Sequence, residues 1–302
     1  MSAPTGSKAI VYAFSANLGI GITKSIAAFI TGSGSMIAEA IHSFADCINQ
    51  VLLFIGMRSS QKPATEKNPL GHGKAVYFWS FIVAMLLFSM GGMFSLYEGI
   101  HKIQHPQEMK SPIIALVVLA VSIGLEGISL RAAMGAIKPF KKKEMSYYRW
   151  FRESKQSPLI VIFAEDLAAL VGLILAFLAV LTAYLTQNPF YDSLGTIAIG
   201  SLLILVAVGL GIEVKSLLIG ESASADEQKE IKSFITKQKT VKKVFNLITV
   251  EHGHELVVAV KAEMHIAKTS TKLVENINDV EAAMRKQFPR IRQIFFEPDI
   301  KD

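Results

Sequence analysis

The stretch Ile37-Ala38-Glu39-Ala40-Ile41-His42-Ser43-Phe44-Ala45-Asp46-Cys47-Ile48-Asn49 decides how this chain folds. It lies inside an apolar run, Met36 to Met57, and roughly 20 such residues cross the hydrocarbon of a bilayer as a helix. Yet it carries Glu39, His42 and Asp46 at spacings of three and four, which bring side chains onto one helix face. Ionisable groups at bilayer depth are costly. They normally face a protein interior or a water-filled path and mark an ion route or proton relay. A His nitrogen and an Asp oxygen one turn apart make half of a divalent-cation site. The stretch therefore predicts a membrane transporter for a divalent metal ion.

Working outward, the first run is Ala9 to Ile30, interrupted by Asn17 and Lys24, and Thr31-Gly32-Ser33-Gly34-Ser35 is a turn signal. The third run is Val76 to Ile100 and the fourth is Pro112 to Ile137, with Glu126 inside it. The fifth, Pro158 to Leu185, contains Glu165-Asp166, and the sixth is Asp192 to Ile212. Six membrane-spanning helices are predicted. Lys and Arg gather after run two (Arg58, Lys62, Lys67, Lys74) and after run four (including Lys141-Lys142-Lys143), whereas the alternate loops are poor in both. The positive-inside bias then puts both termini in the cytoplasm, with a bacterial inner membrane as the expected location. Met1 to Lys8 offers no small-residue cleavage site after a short apolar core, so no removable signal peptide is expected.

After Glu221 the character changes. Asp226 to Lys237 reads as a helix with Ser224 as N-cap. Val244 to Val250 alternates as a strand, Glu251-His252-Gly253-His254 reads as a turn, and Glu255 to Met264 as a second strand. Ser270 or Thr271 caps a helix to Phe288, and Ile291 to Phe296 closes with a third strand. The fold class is thus a mainly α membrane protein with six transmembrane helices over residues 1–220. A C-terminal cytoplasmic α+β domain, αββαβ and ferredoxin-like or metallochaperone-like, follows over 221–302. A domain of about 80 residues has a modest core that oligomerisation would help.

Composition agrees. Of 302 residues 51% are hydrophobic and only 19% charged, with a mean hydropathy of +0.40, too apolar for an ordinary soluble protein. The lone Cys47 excludes a disulfide framework and a cysteine-based zinc site within one chain. The net charge of +6 sits between apolar runs, so it reads as a topology signal and not as a nucleic-acid surface.

Asp46 and Asp166 fall at similar depth when about 1.5 Å of rise per residue is counted from the ends of their runs. A shared site then needs the second and fifth runs to pack together. Glu165 and Asp166, being adjacent, point about 100° apart on a helix, so Glu165 is either a ligand or proton carrier, or a structural partner. Lys24 reads as a structural partner of Glu126 or of Asp166. Asn17 and Asn49 read as interhelical hydrogen bonders, and Asp192 as the N-cap of the sixth run. His72 reads as a surface loop residue, His101 and His105 as external-loop residues, and His252 and His254 as solvated turn histidines.

Together these residues resemble the cation diffusion facilitator family, whose members export zinc and related divalent ions. The resemblance covers nearly the whole chain and is most specific over Thr31 to Asp46, which is similar to that family's second-span signature. Gly71-His72-Gly73-Lys74 resembles its loop motif, and the αββαβ tail its cytoplasmic dimerisation domain. The resemblance implies a homodimer, each subunit carrying one transport site between spans two and five, working as a proton antiporter by alternating access. In the fifth span the family pattern departs: if Asp166 is the second ligand position, the first is Ile162, which binds no metal, and Glu165 is the substitute. The Glu165-Asp166 pair and Glu126-Gly127-Ile128-Ser129-Leu130 resemble a divergent branch that includes organellar zinc transporters of animals. Phe245, Lys261 and Phe296 stand where some members place metal-binding histidines, so no binuclear zinc site is expected in the tail.

The expected ion ligands are His42, Asp46 and Asp166, with Glu165 or water completing the set. The divalent ion is substrate, no cofactor is expected, and protons, the lipid bilayer and a second copy of the chain are the expected partners. Metal needs a neutral His and ionised carboxylates, so protons compete with it for the site. One rival is an intramembrane metal-dependent hydrolase, but no HExxH sequence appears. The other is a metal sensor or scaffold that transports nothing.

Overall fold

Inside a bilayer a backbone has no water to bond, so each apolar run must close its hydrogen bonds within a helix. The structure, a computed structural model, describes residues 5–106 and 111–301, with side chains inside its helices from Asn17 onward. The first runs form α1, Thr5–Thr31, and α2, Gly34–Ser60. The third forms one continuous helix, α3, Ala75–Gln104, with a π-helical turn over Leu87–Met93. The fourth forms α4, Pro112–Ile137, whose proline sits at the tolerated first turn. A short helix follows, α5, Tyr147–Glu153, and then α6, Ser157–Thr186, and α7, Phe190–Ile219. Among the described residues five helices are long and apolar enough to cross a membrane, namely α2, α3, α4 (to Phe140), α6 and α7. The sixth expected span is α1, 27 residues long. The question of a signal peptide at Met1 to Lys8 falls in part outside what is described, which begins at Thr5, and residues 107–110 of the loop after α3 lie outside it.

Two features differ from the sequence reading. The basic stretch after α4 contains α5, capped by Ser146, whose side chain accepts from the Arg149 N–H at 3.1 Å. Trp150 of α5 is 2% exposed and packs edge-on against Phe163 of α6. The helix α7 also runs past Ile212 and keeps Glu213 helical, because Arg152 of α5 pairs with its carboxylate. A charge that looks like the end of an apolar run is thus held inside the helix by a partner distant in sequence.

The chain divides into two compact units, Met1–Gly56 with Phe78–Val214, and Met57–Tyr77 with Lys215–Asp302. The second holds α8, Ala225–Thr236, β1, Val241–His252, β2, Glu255–Met264, α9, Ser270–Gln287, and β3, Ile291–Pro298. The sheet order is β1-β2-β3, with β1 and β2 antiparallel and β2 and β3 parallel across the α9 crossover. Ile231 and Ile235 of α8 and Val280 and Met284 of α9 pack on Leu256, Val258, Val260 and Ala262, the alternate side chains on one face of β2. Ser224 caps α8 as expected, while Thr269 caps α9, one residue before the predicted candidates.

The polar loop that precedes α3 belongs to this same unit. The Tyr77 hydroxyl donates to the Gly253 carbonyl at 3.2 Å and accepts from the Gly253 N–H at 3.1 Å. A Cβ on Gly73 would collide with the His252 backbone, and Gly253 itself has φ +70°, a value that disfavours other residues. β1 therefore continues through Glu251 and His252, and the predicted turn shrinks to Gly253-His254. His252 is not solvated: it is 7% exposed. Burial pushes its imidazole below the usual histidine value, against a hydrogen bond with the Gly71 backbone that acts to raise it.

Candidate functional site

The turn between α1 and α2 is set from far along the chain. Asp192, in the first turn of α7, accepts from the Ser33 hydroxyl at 2.7 Å, the Gly34 N–H at 2.6 Å and the Ser35 N–H at 3.3 Å. It caps α2, not its own helix as the sequence suggested, because α7 begins two residues earlier at Phe190. A carboxylate at the N-terminus of a helix is favoured by the dipole and by the free amides there. Lys102 donates to the Gly32 carbonyl from the other side. A Cβ on Gly34 would meet Thr196 and Lys102 at 2.9 Å, so the glycine keeps the amide within reach of Asp192.

From this anchor α2 carries its polar face. Glu39 is 1% exposed and pairs with Lys24 of α1 at 3.1 Å, and Lys24 also donates to Ser43 at 2.9 Å. Lys24 is thus held by α2, where the sequence had suggested Glu126 or Asp166. One turn on, His42 is 1% exposed, and its Nε2 lies 3.7 Å from Asp46 Oδ2. Neither ring nitrogen of His42 has a hydrogen-bond partner, nor has Asp46 Oδ1. A Cβ on Gly91 would lie 3.9 Å from His42 Nδ1, so the ring faces the π-helical turn of α3. Such turns often mark functional sites.

The two carboxylates of α6 face different helices. Glu165, 7% exposed, accepts from Asn49 of α2 at 2.6 Å. Asp166 accepts from the Ser129 hydroxyl of α4 at 3.1 Å. Asn49 is the interhelical hydrogen bonder expected of it. Ser129 was not foreseen, although it sits three residues beyond Glu126 and shares its helix face. The second and fifth runs do pack together: besides the Asn49–Glu165 bond, a Cβ on Gly172 of α6 would lie 3.0 Å from Glu39 Oε1. Among the described residues no three His, Cys, Asp or Glu side chains converge closely enough to hold a metal. His42 and Asp46 stand together, while Glu165 and Asp166 are each bonded elsewhere.

His72, His101 and His105 make local contacts. His72 bonds Asn68 at 3.0 Å and the Pro63 carbonyl at 3.2 Å inside its loop. His101 lies in the last turn of α3, not in a loop, and stacks on His105 with ring centroids 4.7 Å apart.

Comparison with known proteins gives the geometry its context. Residues 10–219 match the cation efflux transmembrane domain. The chain is 31% identical over 280 residues to the proton-coupled zinc antiporter SLC30A9, mitochondrial, of Xenopus laevis, covering 92% of this chain and 49% of that protein. It is 32% identical over 231 residues to the human protein of the same name, covering 76% of this chain and 41% of that one. To the cation-efflux pump FieF of Pectobacterium atrosepticum it is 25% identical over 272 residues, 89% of this chain and 84% of the pump. The chain thus spans about half, or less, of the length of the antiporters it matches. With a matched domain that runs from α1 to the end of α7 and encloses His42, Asp46, Glu165 and Asp166, the chain belongs to the cation efflux family of integral membrane transporters, the cation diffusion facilitators.

Proposed function

We propose that this protein exports a divalent metal cation in exchange for protons, with His42, Asp46, Asp166 and Glu165 as the residues that hold the ion in transit. The observation that carries this reading is His42. Its ring is 1% exposed in a membrane-spanning helix, has a carboxylate 3.7 Å away and leaves both nitrogens without a hydrogen-bond partner. Buried polar groups are nearly always paired, and a neutral imidazole nitrogen is a common metal ligand. Similarity to proteins named proton-coupled zinc antiporters favours zinc as the ion and protons as the exchanged species. Imidazole and carboxylate without thiolate also suit iron(II), manganese, cobalt and nickel.

Protons and metal compete for the same lone pairs, so a site opened alternately to each side exchanges one for the other. Bringing a carboxylate of α6 to His42 and Asp46 takes a shift of α6 against α2, which an alternating-access cycle supplies. The metal is substrate, no cofactor takes part, and a family of transporters speaks against the hydrolase reading. The chain works as a homodimer through region 221–302. Ile248, 53% exposed, and Phe295, 57% exposed, support this, since they flank Ala259 on the sheet face away from α8 and α9. The basic loops favour cytoplasmic termini in a bacterial inner membrane.

The test is uptake by proteoliposomes with a panel of divalent ions, followed together with internal pH. Asp46→Ala should abolish metal-driven proton flux. Undiminished flux in that variant rejects the site.

A further inference from the structure

We propose that the turn between α1 and α2, held by Asp192 of α7 and Lys102 of α3, is the outer gate of the transport route. It must part from α3 and α7 before an ion at His42 and Asp46 reaches the far side. The inference rests on the transporter reading and the cytoplasmic termini above, which place this end of the helices outside, and it names the contacts that alternate.

The route is shut on that side. Between the turn and His42, the residues Ser35, Met36, Ala38 and Glu39 of α2 are at most 1% exposed. Asp46, one turn to the inner side of His42, has a side chain 16% exposed. An ion at His42 therefore has no way outward while the start of α2 stays against α7.

α7 meets its neighbours in two ways at this end. With α3 it packs through glycines. A Cβ on Gly92 or Gly99 of α3 would lie 2.5 Å from Ile204 or 2.6 Å from Ile197 of α7, and a Cβ on Gly200 would lie 2.7 Å from the Leu96 backbone. Contacts this close transmit movement and do not yield to it, so α3 and α7 move together. The start of α2 meets α7 through polar groups. Besides the three bonds to the Asp192 carboxylate, the Ser35 hydroxyl donates to the Asp192 carbonyl at 3.1 Å and lies 3.4 Å from the Thr196 hydroxyl. Lys102 ties the same turn to α3 through the Gly32 carbonyl. Ser33, Ser35 and Thr196 are wholly buried. When such a joint parts, its donors and acceptors exchange one another for water, whereas parted apolar faces gain nothing in return. The polar joint is thus the one suited to opening and closing in each cycle.

The experiment closes the gate with a covalent bond. Cysteines in place of Ser35 and Thr196, whose hydroxyl oxygens are 3.4 Å apart, fall within reach of a disulfide. The full-length Ser35→Cys/Thr196→Cys protein, in a Cys47→Ser background that removes the native thiol, is placed in proteoliposomes and assayed for Zn2+ uptake. The oxidised protein should lose uptake, and a phosphine reductant, washed away before the assay, should restore it. Oxidised protein in micelles should still bind Co2+, because His42 and Asp46 are unaltered. A second variant needs no disulfide: Ser35→Cys alone, in the same background, is labelled in whole cells by a membrane-impermeant maleimide added outside. Labelling should be slow without metal and faster while Zn2+ is being exported. Full uptake by protein shown to be cross-linked, or labelling that is equal with and without Zn2+ export, overturns the gate and leaves the transporter reading standing. Absence of Zn2+ uptake by the protein without any substitution overturns both.

Discussion

Lys24 and Glu39 form an ion pair at 3.1 Å in which both side chains are 1% exposed, one helical turn from His42. The pair binds α1 to α2 and keeps a carboxylate at membrane depth from standing as an isolated charge. Removing one member of a buried pair leaves the other uncompensated and typically costs about 3–5 kcal/mol, whereas replacing both with apolar groups of similar volume is often neutral. Lys24→Met alone and Glu39→Met alone should therefore lower the melting temperature in detergent markedly. The double variant Lys24→Met/Glu39→Met should recover most of the loss. A double variant as unstable as either single one contradicts the pairing.

Asp192 provides a second stability test. Its carboxylate accepts three hydrogen bonds from the turn that starts α2, and the residue is 4% exposed. Loss of an N-cap costs about 1 kcal/mol, up to about 2 kcal/mol in proteins. Asp192→Ala should lie at the upper end, because buried amides are left unpaired. Asp192→Asn keeps one acceptor oxygen and should lose less. Hydrogen exchange at Gly34 and Ser35 reads this directly: the amides should exchange faster in Asp192→Ala, with Asp192→Asn between it and the unaltered protein.

The pH dependence of stability has a signature at His252. Its folded pKa is lowered, mainly by burial, from the reference value of 6.5. Above 6.5 the ring is neutral in both the folded and unfolded states, and its contribution is fully present. Between 6.5 and the lower folded value the unfolded chain binds more protons, so stability falls as the pH drops through that window. His252→Gln cannot titrate and should show a shallower fall in melting temperature below pH 6.5 than the unaltered protein does. Parallel curves for the two proteins would assign the acid sensitivity to other groups.

The limits of sequence reading show at particular residues. The strand Glu255 to Met264 and the cap at Ser224 were legible because alternation and capping are local. The helix α5 was hidden because seven residues, Tyr147–Glu153, are too few for a clear period among so many charges. Lys24 was assigned the wrong partner because two helices in contact leave no mark in the spacing of either. His252 was read as solvated because its burial comes from Gly73, far away in the chain.

Hydrophobic length and the Lys/Arg pattern determined that this chain builds membrane-spanning helices, and alternation and capping determined its αββαβ tail. The three- and four-residue spacing from Glu39 to Asp46 determined that its ionisable groups share a face, because both follow from the rise and period of one helix. Only the tertiary structure decided which helices those groups meet. Glu165 turns to Asn49, Asp166 to Ser129 and Asp192 to the start of α2, since the rotation of each helix about its axis is fixed by the side chains of its neighbours and not by its own sequence.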